Sequence, residues 1–266
     1  MGQEPMKNHL LMTQDLTVRF GGINALSKLN FTLRVGELLG LIGPNGSGKT
    51  TCFNSLTGIN RVDSGKIYLQ GRDITGFTPQ QIFKGGITRT FQRLRLAVDL
   101  SVFDNLIIGD TDGLHKGIYF NLFQRNNLKK EIKEKVYKTT DLLKIFNPHL
   151  VAHLYEPVRK LTMIDRRRIE VCRALISSPK VLLLDEPTAG MTEEETRDFM
   201  KDLLEIKTRN PDLGIVLIEH EMSVIEKVTD RCLALNYGEK ICEGKYEHVM
   251  SHKGVRAAYL GDDRFD

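Results

Sequence analysis

The sequence predicts an α/β fold built on a mainly parallel sheet that helices cover on both faces. From residue 163 onward, apolar segments typical of buried strands alternate with amphipathic segments at helical spacing. Residues 12–42 instead alternate short β-like runs with glycine turns, which predicts an antiparallel sheet edge feeding a buried strand. Between about residues 94 and 160 the pattern becomes helical and more polar, which predicts an inserted helical lobe.

The predicted elements can be placed in chain order. The first strands are "LTVRF", "LNFTLRV" and "ELLGLIG", and the long helix of the lobe is "LKKEIKEKVYKTTDLLKIF". The later part of the chain reads as helix "MIDRRRIEVCRALISS", strand "KVLLLD", helix "EEETRDFMKDLLEIKTR", strand "GIVLIE", helix "EMSVIEKVTD" and strand "CLALNYG". Strands separated by single helices favour parallel pairing, because the chain must cross over between them.

Composition excludes several classes of protein. The chain has 266 residues, of which 41% are hydrophobic and 27% charged, so it can bury a full core. It contains no apolar run of about 18 residues, and its opening "MGQEPMKNHLLM" lacks the features of a signal peptide, so we expect a cytoplasmic protein. Its basic runs are interleaved with acids, which favours solvated helix faces over nucleic-acid binding. The four cysteines show no CxxC spacing and are expected to be reduced.

The strongest motif is "GPNGSGKT" at residues 43–50, which lies between an apolar strand and a helical segment. Its glycines allow backbone amides to curl around phosphate oxygens, Lys49 reaches the β and γ phosphates, and Thr50 offers a hydroxyl to Mg²⁺. A turn that merely caps a helix is the alternative, and the strand–loop–helix context argues against it. The candidate nucleotide-binding residues are Gly43, Pro44, Asn45, Gly46, Ser47, Gly48, Lys49, Thr50 and Thr51.

A second motif, "KVLLLDEP", delivers two adjacent carboxylates at the end of a buried strand. Ligands of α/β sheets bind at that end of the strands. We expect Asp185 to hold the Mg²⁺ shell and Glu186 to act as the general base for the attacking water. Taken alone, acidic residues after a strand often only cap the next helix.

Two single residues complete a predicted γ-phosphate sensor. Gln92 lies at the join between core and helical lobe, and His220 follows the next apolar strand. Either residue alone is more often a surface residue or a satisfied core residue, and only these locations favour the functional interpretation. The candidate catalytic residues are therefore Glu186, His220 and Gln92, and the candidate Mg²⁺ ligands are Thr50, Gln92 and Asp185.

The order "GPNGSGKT", "TFQ", helical lobe, "LLLDEP", "TAGM" and "IEH" resembles the nucleotide-binding subunit of an ABC transporter. Further segments resemble the ATPase subunits of branched-chain amino-acid importers, namely "RFGGINAL", "GITRTFQ", "GIYFNLFQRNN", "LIEHEM" and "VRAAYLG". The resemblance covers nearly the whole chain. It implies a P-loop NTPase (RecA-like) core with a small antiparallel β lobe and an inserted α-helical lobe.

By that resemblance, residues 1–266 form a single ABC ATPase domain. The core and β lobe would cover about 10–92 and 162–240, the helical lobe about 93–161, and a C-terminal extension about 241–266. Two such subunits would sandwich two ATP molecules head to tail and couple their closure to membrane permease subunits. The chain would then lie peripherally on the cytoplasmic face of the inner or plasma membrane.

The resemblance also assigns roles to two further segments. Phe20 would stack on adenine, although an aromatic residue at a strand end is more often part of the core. "TAGM" at residues 188–191 matches a loop that crosses the dimer interface, with Thr192 where an aspartate or asparagine often follows.

The signature segment, residues 161–165 or "LTMID", departs from the family's LSGGQ or LSYGQ pattern, although "RRRIE" continues it as usual. In the family, the serine hydroxyl and glycine amides reach the γ-phosphate bound by the other subunit. Thr162 keeps a hydroxyl and begins a T-x-x-D helix start. Ile164 replaces a glycine, so we expect it to resist glycine-like backbone angles and to block the phosphate, at a cost of about 3 kcal/mol. Alternatively, Ile164 packs into the lobe and an adjusted loop keeps the contact.

These features predict an ATP-hydrolysing importer subunit for branched-chain or other small amino acids or amides. Rival functions are the ATPase of a lipid or lipopolysaccharide exporter, a soluble ABC ATPase without a transport role, and a regulatory module that does not turn over. Because each signature completes the opposite subunit's site, we expect a heterodimer with a related cassette, with one competent site and one slow site. No nucleic-acid partner is expected.

Overall fold

The structure is a computed structural model that describes residues 9–110 and 125–260. Two compact units make up these parts of the chain. The first comprises residues from 1–89, 180–186 and 210–266, and the second comprises residues from 90–179 and 187–209. Residues 1–8, 111–124 and 261–266 lie outside the described ranges, and so does most of the segment "GIYFNLFQRNN".

The described residues of the first unit form two sheets with ten strands in total. The strands are β1 (His9–Phe20), β2 (Ile23–Arg34), β3 (Leu38–Ile42), β4 (Ser64–Leu69), β5 (Arg72–Asp73), β6 (Ile87–Arg89), β7 (Val181–Asp185), β8 (Gly214–Ile218), β9 (Arg231–Asn236) and β10 (Glu239–Gly244). An antiparallel sheet has the order β2-β1-β4-β5. A six-stranded sheet has the order β10-β9-β3-β8-β7-β6, and only its β10–β9 pair is antiparallel. The predicted α/β fold with a parallel sheet is confirmed.

The helices of the described residues divide between the two units. They are α1 (Lys49–Leu56), α2 (Pro79–Gly85), α3 (Val102–Ile108), α4 (Arg125–Phe146), α5 (Met163–Leu175), α6 (Glu193–Arg209), α7 (Met222–Val228), α8 (Tyr246–Ser251) and α9 (Lys253–Leu260). The second unit contains α3 to α6, with short 3₁₀ turns at Pro148–Val151 and Val158–Lys160.

The parallel strands β3, β7 and β8 are buried along their whole length, as their continuous apolar sequences predict. They lie side by side, with Asp185 in register with Ile218. Because parallel strands end at the same edge of a sheet, the segments that follow them are brought together there. Those segments are the phosphate loop, the pair Asp185 and Glu186, and the stretch that carries His220.

The second unit is held together by helix packing. The rings of Phe146 on α4 and Phe199 on α6 lie 6.2 Å apart between centroids, and both side chains are buried. The lobe boundaries predicted from the sequence, about 93–161, stay a prediction, and this compact unit also includes α5 and α6.

All four cysteines are free thiols in this structure. Three of them are buried, and burial raises the pKa of the Cys52 thiol to about 12. A buried thiol with so high a pKa is unreactive, because only the thiolate is a nucleophile.

Candidate functional site

The phosphate loop follows β3 and leads into α1. Two of its glycines are required by their surroundings as well as by their positive φ angles. A Cβ atom at Gly43 (φ 148°) would lie 2.2 Å from the carbonyl oxygen of Leu235, and one at Gly48 (φ 105°) would lie 2.7 Å from that of Ala25. Any other residue would therefore displace backbone. The loop that the motif predicts is fixed by these close approaches.

The loop leaves hydrogen-bonding groups available at the start of α1. Gly48 is the N-cap residue, and no side chain of the described residues caps this helix. The Ser47 hydroxyl is buried and has no hydrogen-bond partner within residues 9–110 and 125–260. An uncapped helix start carries a positive partial charge, and the buried Ser47 hydroxyl adds a donor. Together they can bind a phosphate group. Asn45, Gly46 and Thr50 are exposed here, whereas Pro44 and Thr51 are partly buried.

Lys49 is folded back over the loop. Its Nζ atom donates hydrogen bonds to the carbonyl oxygens of Gly43 (2.7 Å) and Pro44 (3.0 Å). Burial lowers the pKa of Lys49, and the negative charges of Glu186 and Asp185 oppose that effect. The Lys49 ammonium and the carboxylates of Glu186 and Asp185 therefore interact electrostatically.

Asp185 has a partner that sequence reasoning missed. The Arg89 guanidinium, on β6, donates to the Asp185 carboxylate at 2.5 Å and to the Asn54 side chain at 2.6 Å. The guanidinium also lies 5.3 Å from the ring centroid of Phe53, and the side chains of Arg89 and Asp185 are both buried. The sequence shows an arginine three positions before Gln92, but nothing in that pattern indicates that this arginine pairs with Asp185.

Glu186 and His220 form a direct contact. The Oε1 atom of Glu186 lies 2.7 Å from Nε2 of His220. Glu186 adopts a left-handed backbone conformation (φ 48°), which is uncommon for a residue other than glycine, and its amide donates to the carbonyl of Ile218. Strained residues held by their surroundings often occur at functional sites. The contact holds the Glu186 carboxylate against the imidazole ring of His220.

The signature segment begins α5 as predicted. Thr162 is the N-cap residue, and its Oγ1 atom accepts a hydrogen bond from the amide of Asp165. The expectation that Ile164 must resist glycine-like backbone angles is wrong. Ile164 is the second residue of a regular helix, with no positive φ angle, so glycine-like backbone angles are not needed there. Only its side chain distinguishes this position from glycine.

Phe20, Gln92 and Thr192 lie outside the phosphate loop and the signature segment. Phe20 ends β1 with 52% of its surface exposed, which contradicts the alternative that it belongs to the core. Gln92 belongs to the second unit, where its carbonyl accepts a hydrogen bond from Arg167 at 2.5 Å. Thr192 begins α6 with a reciprocal cap: its amide donates to the Glu195 carboxylate, and its hydroxyl accepts from the Glu195 amide.

Comparison with known proteins decides the family. The sequence model of the family described as ABC transporter matches residues 26–189, more than half of the chain. The chain belongs to the ABC transporter family. Among similar proteins, the high-affinity branched-chain amino acid transport ATP-binding protein LivG of Salmonella typhimurium is 34% identical over 97% of this cassette and 100% of its own length. BraF of Pseudomonas aeruginosa, described in the same words, is 30% identical over the same shares of the two chains.

Solved structures agree with the family. The ATP-binding cassette MJ1267 in its ADP conformation has a TM-score of 0.81 and 28% identity, over 96% of this cassette and 99% of that chain. A nucleotide-free ATP-binding cassette from an ABC transporter has a TM-score of 0.80 at 28% identity, over 96% and 100% of the two chains. The predicted P-loop fold and ABC-type ATPase are thereby confirmed.

The family membership bears on the ligand and on the partner subunits of this cassette. Cassettes of this family bind nucleotide and act with membrane permease subunits. Within residues 9–110 and 125–260, no helix is both long enough and apolar enough to cross a membrane.

Proposed function

We propose that this cassette binds ATP with Mg²⁺ and hydrolyses it to drive an importer of branched-chain or other small amino acids or amides. The observation that carries the proposal is the Glu186–His220 pair at the sheet edge that also bears the phosphate loop. The substrate class is supported by the relatives, which are described as branched-chain amino acid transport proteins.

Nucleotide would bind through the phosphate loop. The amides at the start of α1 and the buried Ser47 hydroxyl would donate to phosphate oxygens. Lys49 would exchange its bonds to the carbonyls of Gly43 and Pro44 for bonds to the β and γ phosphates. Phe20, exposed at the end of β1, would cover the adenine ring.

A magnesium ion fits the residues present. The exposed Thr50 hydroxyl and the buried Asp185 carboxylate are oxygen ligands of the type that Mg²⁺ prefers, and Gln92 would add a third. When bound, the ion would neutralise charge on the phosphate oxygens. The Arg89 guanidinium, 2.5 Å from Oδ2 of Asp185, would fix the orientation of this carboxylate.

Glu186 would act as the general base. Its Oε1 atom would accept a proton from the attacking water, and His220 at 2.7 Å would hold the carboxylate in place. The left-handed backbone of Glu186 fixes the direction in which the side chain leaves the strand.

We infer that the functional unit is a heterodimer with a second ABC ATPase. The cassettes would sit peripherally on the cytoplasmic face of the inner or plasma membrane, with no nucleic-acid partner. The isolated chain should hydrolyse ATP weakly, the reconstituted pair should be active, and a pair carrying Glu186→Gln should be nearly inactive. Brisk hydrolysis by a homodimer of this chain would contradict the heterodimer.

The helical-lobe surface between Gln92 and Leu161 would contact a helix of a permease subunit. The segment "GIYFNLF", at residues 117–123, is part of this proposal and lies outside the described residues. Photo-crosslinkers placed along α4 should capture a membrane protein. Crosslinks confined to the C-terminal helices α8 and α9 would exclude this docking surface.

The decisive experiment is to isolate the native complex from membranes, identify its subunits, and measure ATP-driven uptake of leucine by the complex in proteoliposomes. Membrane subunits of an importer and uptake that depends on ATP are expected. A complex with exporter subunits, or a chain that co-purifies with no membrane protein, would replace the proposal by one of the rival functions.

A further inference from the structure

Asp165, the last residue of the signature segment, occupies the start of α5. Its Oδ2 atom accepts a hydrogen bond from the Thr162 hydroxyl at 2.8 Å, while its amide donates back to the same hydroxyl oxygen at 3.3 Å. Its Oδ1 atom accepts from the Asn147 amide at 3.3 Å. Two donors, the Thr162 hydroxyl and the Asn147 side-chain amide, therefore hold the carboxylate beside the first turn, and the Asp165 backbone amide is bonded to the same hydroxyl.

A charged pair fixes the same carboxylate from within the helix. Arg168, one turn further along α5, donates to Asp165 at 3.3 Å and to Asp202 on α6 at 3.0 Å. The side chains of Asp165 and Arg168 are only 16% and 11% exposed. Such shielding from water makes rearrangement of the carboxylate costly.

The single donor proton of the Thr162 hydroxyl is consequently occupied by the bond to Asp165. A hydroxyl has one proton to donate, and here that proton is given to an ionised acceptor, which is among the stronger hydrogen bonds in proteins. Thr162 could bond a phosphate oxygen only after breaking this bond. The hydroxyl that the sequence preserves is therefore not free for a phosphate.

The charge of Asp165 acts in the same direction. A carboxylate in the first turn satisfies the positive partial charge of a helix start, so it stabilises the helix and disfavours a second anion there. A triphosphate brought to this turn would meet a like charge. By contrast, a neutral glutamine, as in the family's usual pattern, would carry no charge.

We propose that Asp165 is a specificity-determining residue that closes the signature of this cassette to the triphosphate held by its partner, independently of Ile164. The proposal rests on the proposed function, because it assumes that the signature faces nucleotide bound by another cassette. It attributes the slow site to the charge of Asp165 and to its bond with the Thr162 hydroxyl, in addition to the bulk of Ile164.

The test uses this chain alone, with Glu186→Gln present throughout to retain ATP. In such a chain, ATP-driven homodimerisation requires two signature segments to accept phosphate, and analytical ultracentrifugation measures it with and without ATP. The parent and the Ile164→Gly variant should dimerise weakly. Adding Asp165→Gln to Ile164→Gly should tighten the dimer about tenfold for each of the two sites, on the order of a hundredfold in all.

A matched control lies in the same unit. Ser101 caps α3, and its hydroxyl donates to Asp104 three residues later, as Thr162 does to Asp165. Both controls are made in the chain that carries Glu186→Gln and Ile164→Gly. Adding Asp104→Asn should leave its ATP-driven dimerisation unchanged, whereas adding Asp165→Asn should strengthen it. An equal effect of both variants, or no effect of Asp165→Gln, would overturn the proposal.

Failure of the proposed function can be told apart from failure of this inference. Binding of a fluorescent ATP analogue to the monomer depends on the phosphate loop and should be the same in all of these variants. Loss of that binding in the parent chain would reject the ATPase itself. Tight ATP-driven dimerisation of the parent chain would reject the closed signature while leaving ATP binding intact.

Discussion

Two helices of this cassette begin beside segments assigned to phosphate recognition, and their first turns are built in opposite ways. Helix α1 begins after Gly48, which has no side chain to cap it, and its first turn "KTTC" contains no acid. Helix α5 begins after Thr162, whose side chain caps it, and Asp165 adds a carboxylate to its first turn. The comparison teaches that a helix start recognises an anion only when the protein leaves its own donors unsatisfied.

The largest expected effect concerns Glu186, the base proposed to act on the phosphate that the open start of α1 would hold. In the proposed pair, Glu186→Gln should retain ATP and slow hydrolysis by about 10² or more, because the amide keeps the shape of the side chain and loses the base. Phosphate release and ATP retention are measured together. The exposed Glu194, changed to glutamine, serves as the control and should leave the rate unchanged. Normal hydrolysis in Glu186→Gln would move the role of base to His220.

The next effect concerns the open helix start itself. Lys49→Ala should weaken ATP binding about 10-fold to 100-fold, because a charged hydrogen bond to the β and γ phosphates is lost. Calorimetric titration with ATP measures the change. Lys84→Ala removes an exposed lysine from the last turn of α2 and should bind ATP normally. Unchanged affinity in Lys49→Ala would count against the whole assignment of residues 43–50.

On the side of the closed helix start, Ile164→Gly should have a smaller effect. Removing the side chain opens the approach to the first turn of α5, but the Asp165 carboxylate stays in place, so turnover at the partner's site in the proposed pair should rise by only about a few-fold. A modest loss of stability should accompany it, of about 0.5 kcal/mol, because glycine disfavours helix. Single-turnover hydrolysis at the partner's site measures the gain. No change in rate would show that the isoleucine side chain does not obstruct the phosphate.

The smallest effect concerns the pair that anchors the closed helix start. Burial raises the pKa of Asp202 to about 6, against the opposing effect of Arg168. Its folded-state pKa lies above the unfolded value, so its contribution to stability is present below about pH 4 and is lost as the pH rises through about 6. The loss should be on the order of 1 kcal/mol.

Urea unfolding at several pH values between about 4 and 7 measures this dependence. Asp202→Asn cannot titrate, so the part of the pH dependence due to this group should disappear. Glu194→Gln, an exposed change on the same helix, is the control and should preserve it. An identical pH dependence in wild type and Asp202→Asn would mean that Asp202 titrates as an ordinary carboxyl.

The fold could be predicted from the sequence because its signals are local. Unbroken apolar runs predicted the buried strands β3, β7 and β8, and the structure buries every residue of each. The start of α5 at Thr162 was predicted by a residue pattern four positions long. The same locality misled the expectation for Ile164, since a substitution from glycine was taken to imply unusual backbone angles.

The sequence by itself determined which candidate nucleotide-binding and catalytic groups this protein has. They are the glycines of the phosphate loop, Lys49, the two carboxylates, and a signature segment without glycine. Only the tertiary structure decided what those groups touch. It placed Arg89 on Asp185 across 96 residues and His220 on Glu186 across 34. The Thr162 cap, by contrast, joins residues only three positions apart, and the sequence pattern predicted it. The physical reason is that propensities act within a few residues, whereas the partner of a charge depends on which distant segments the sheet and the helices bring together.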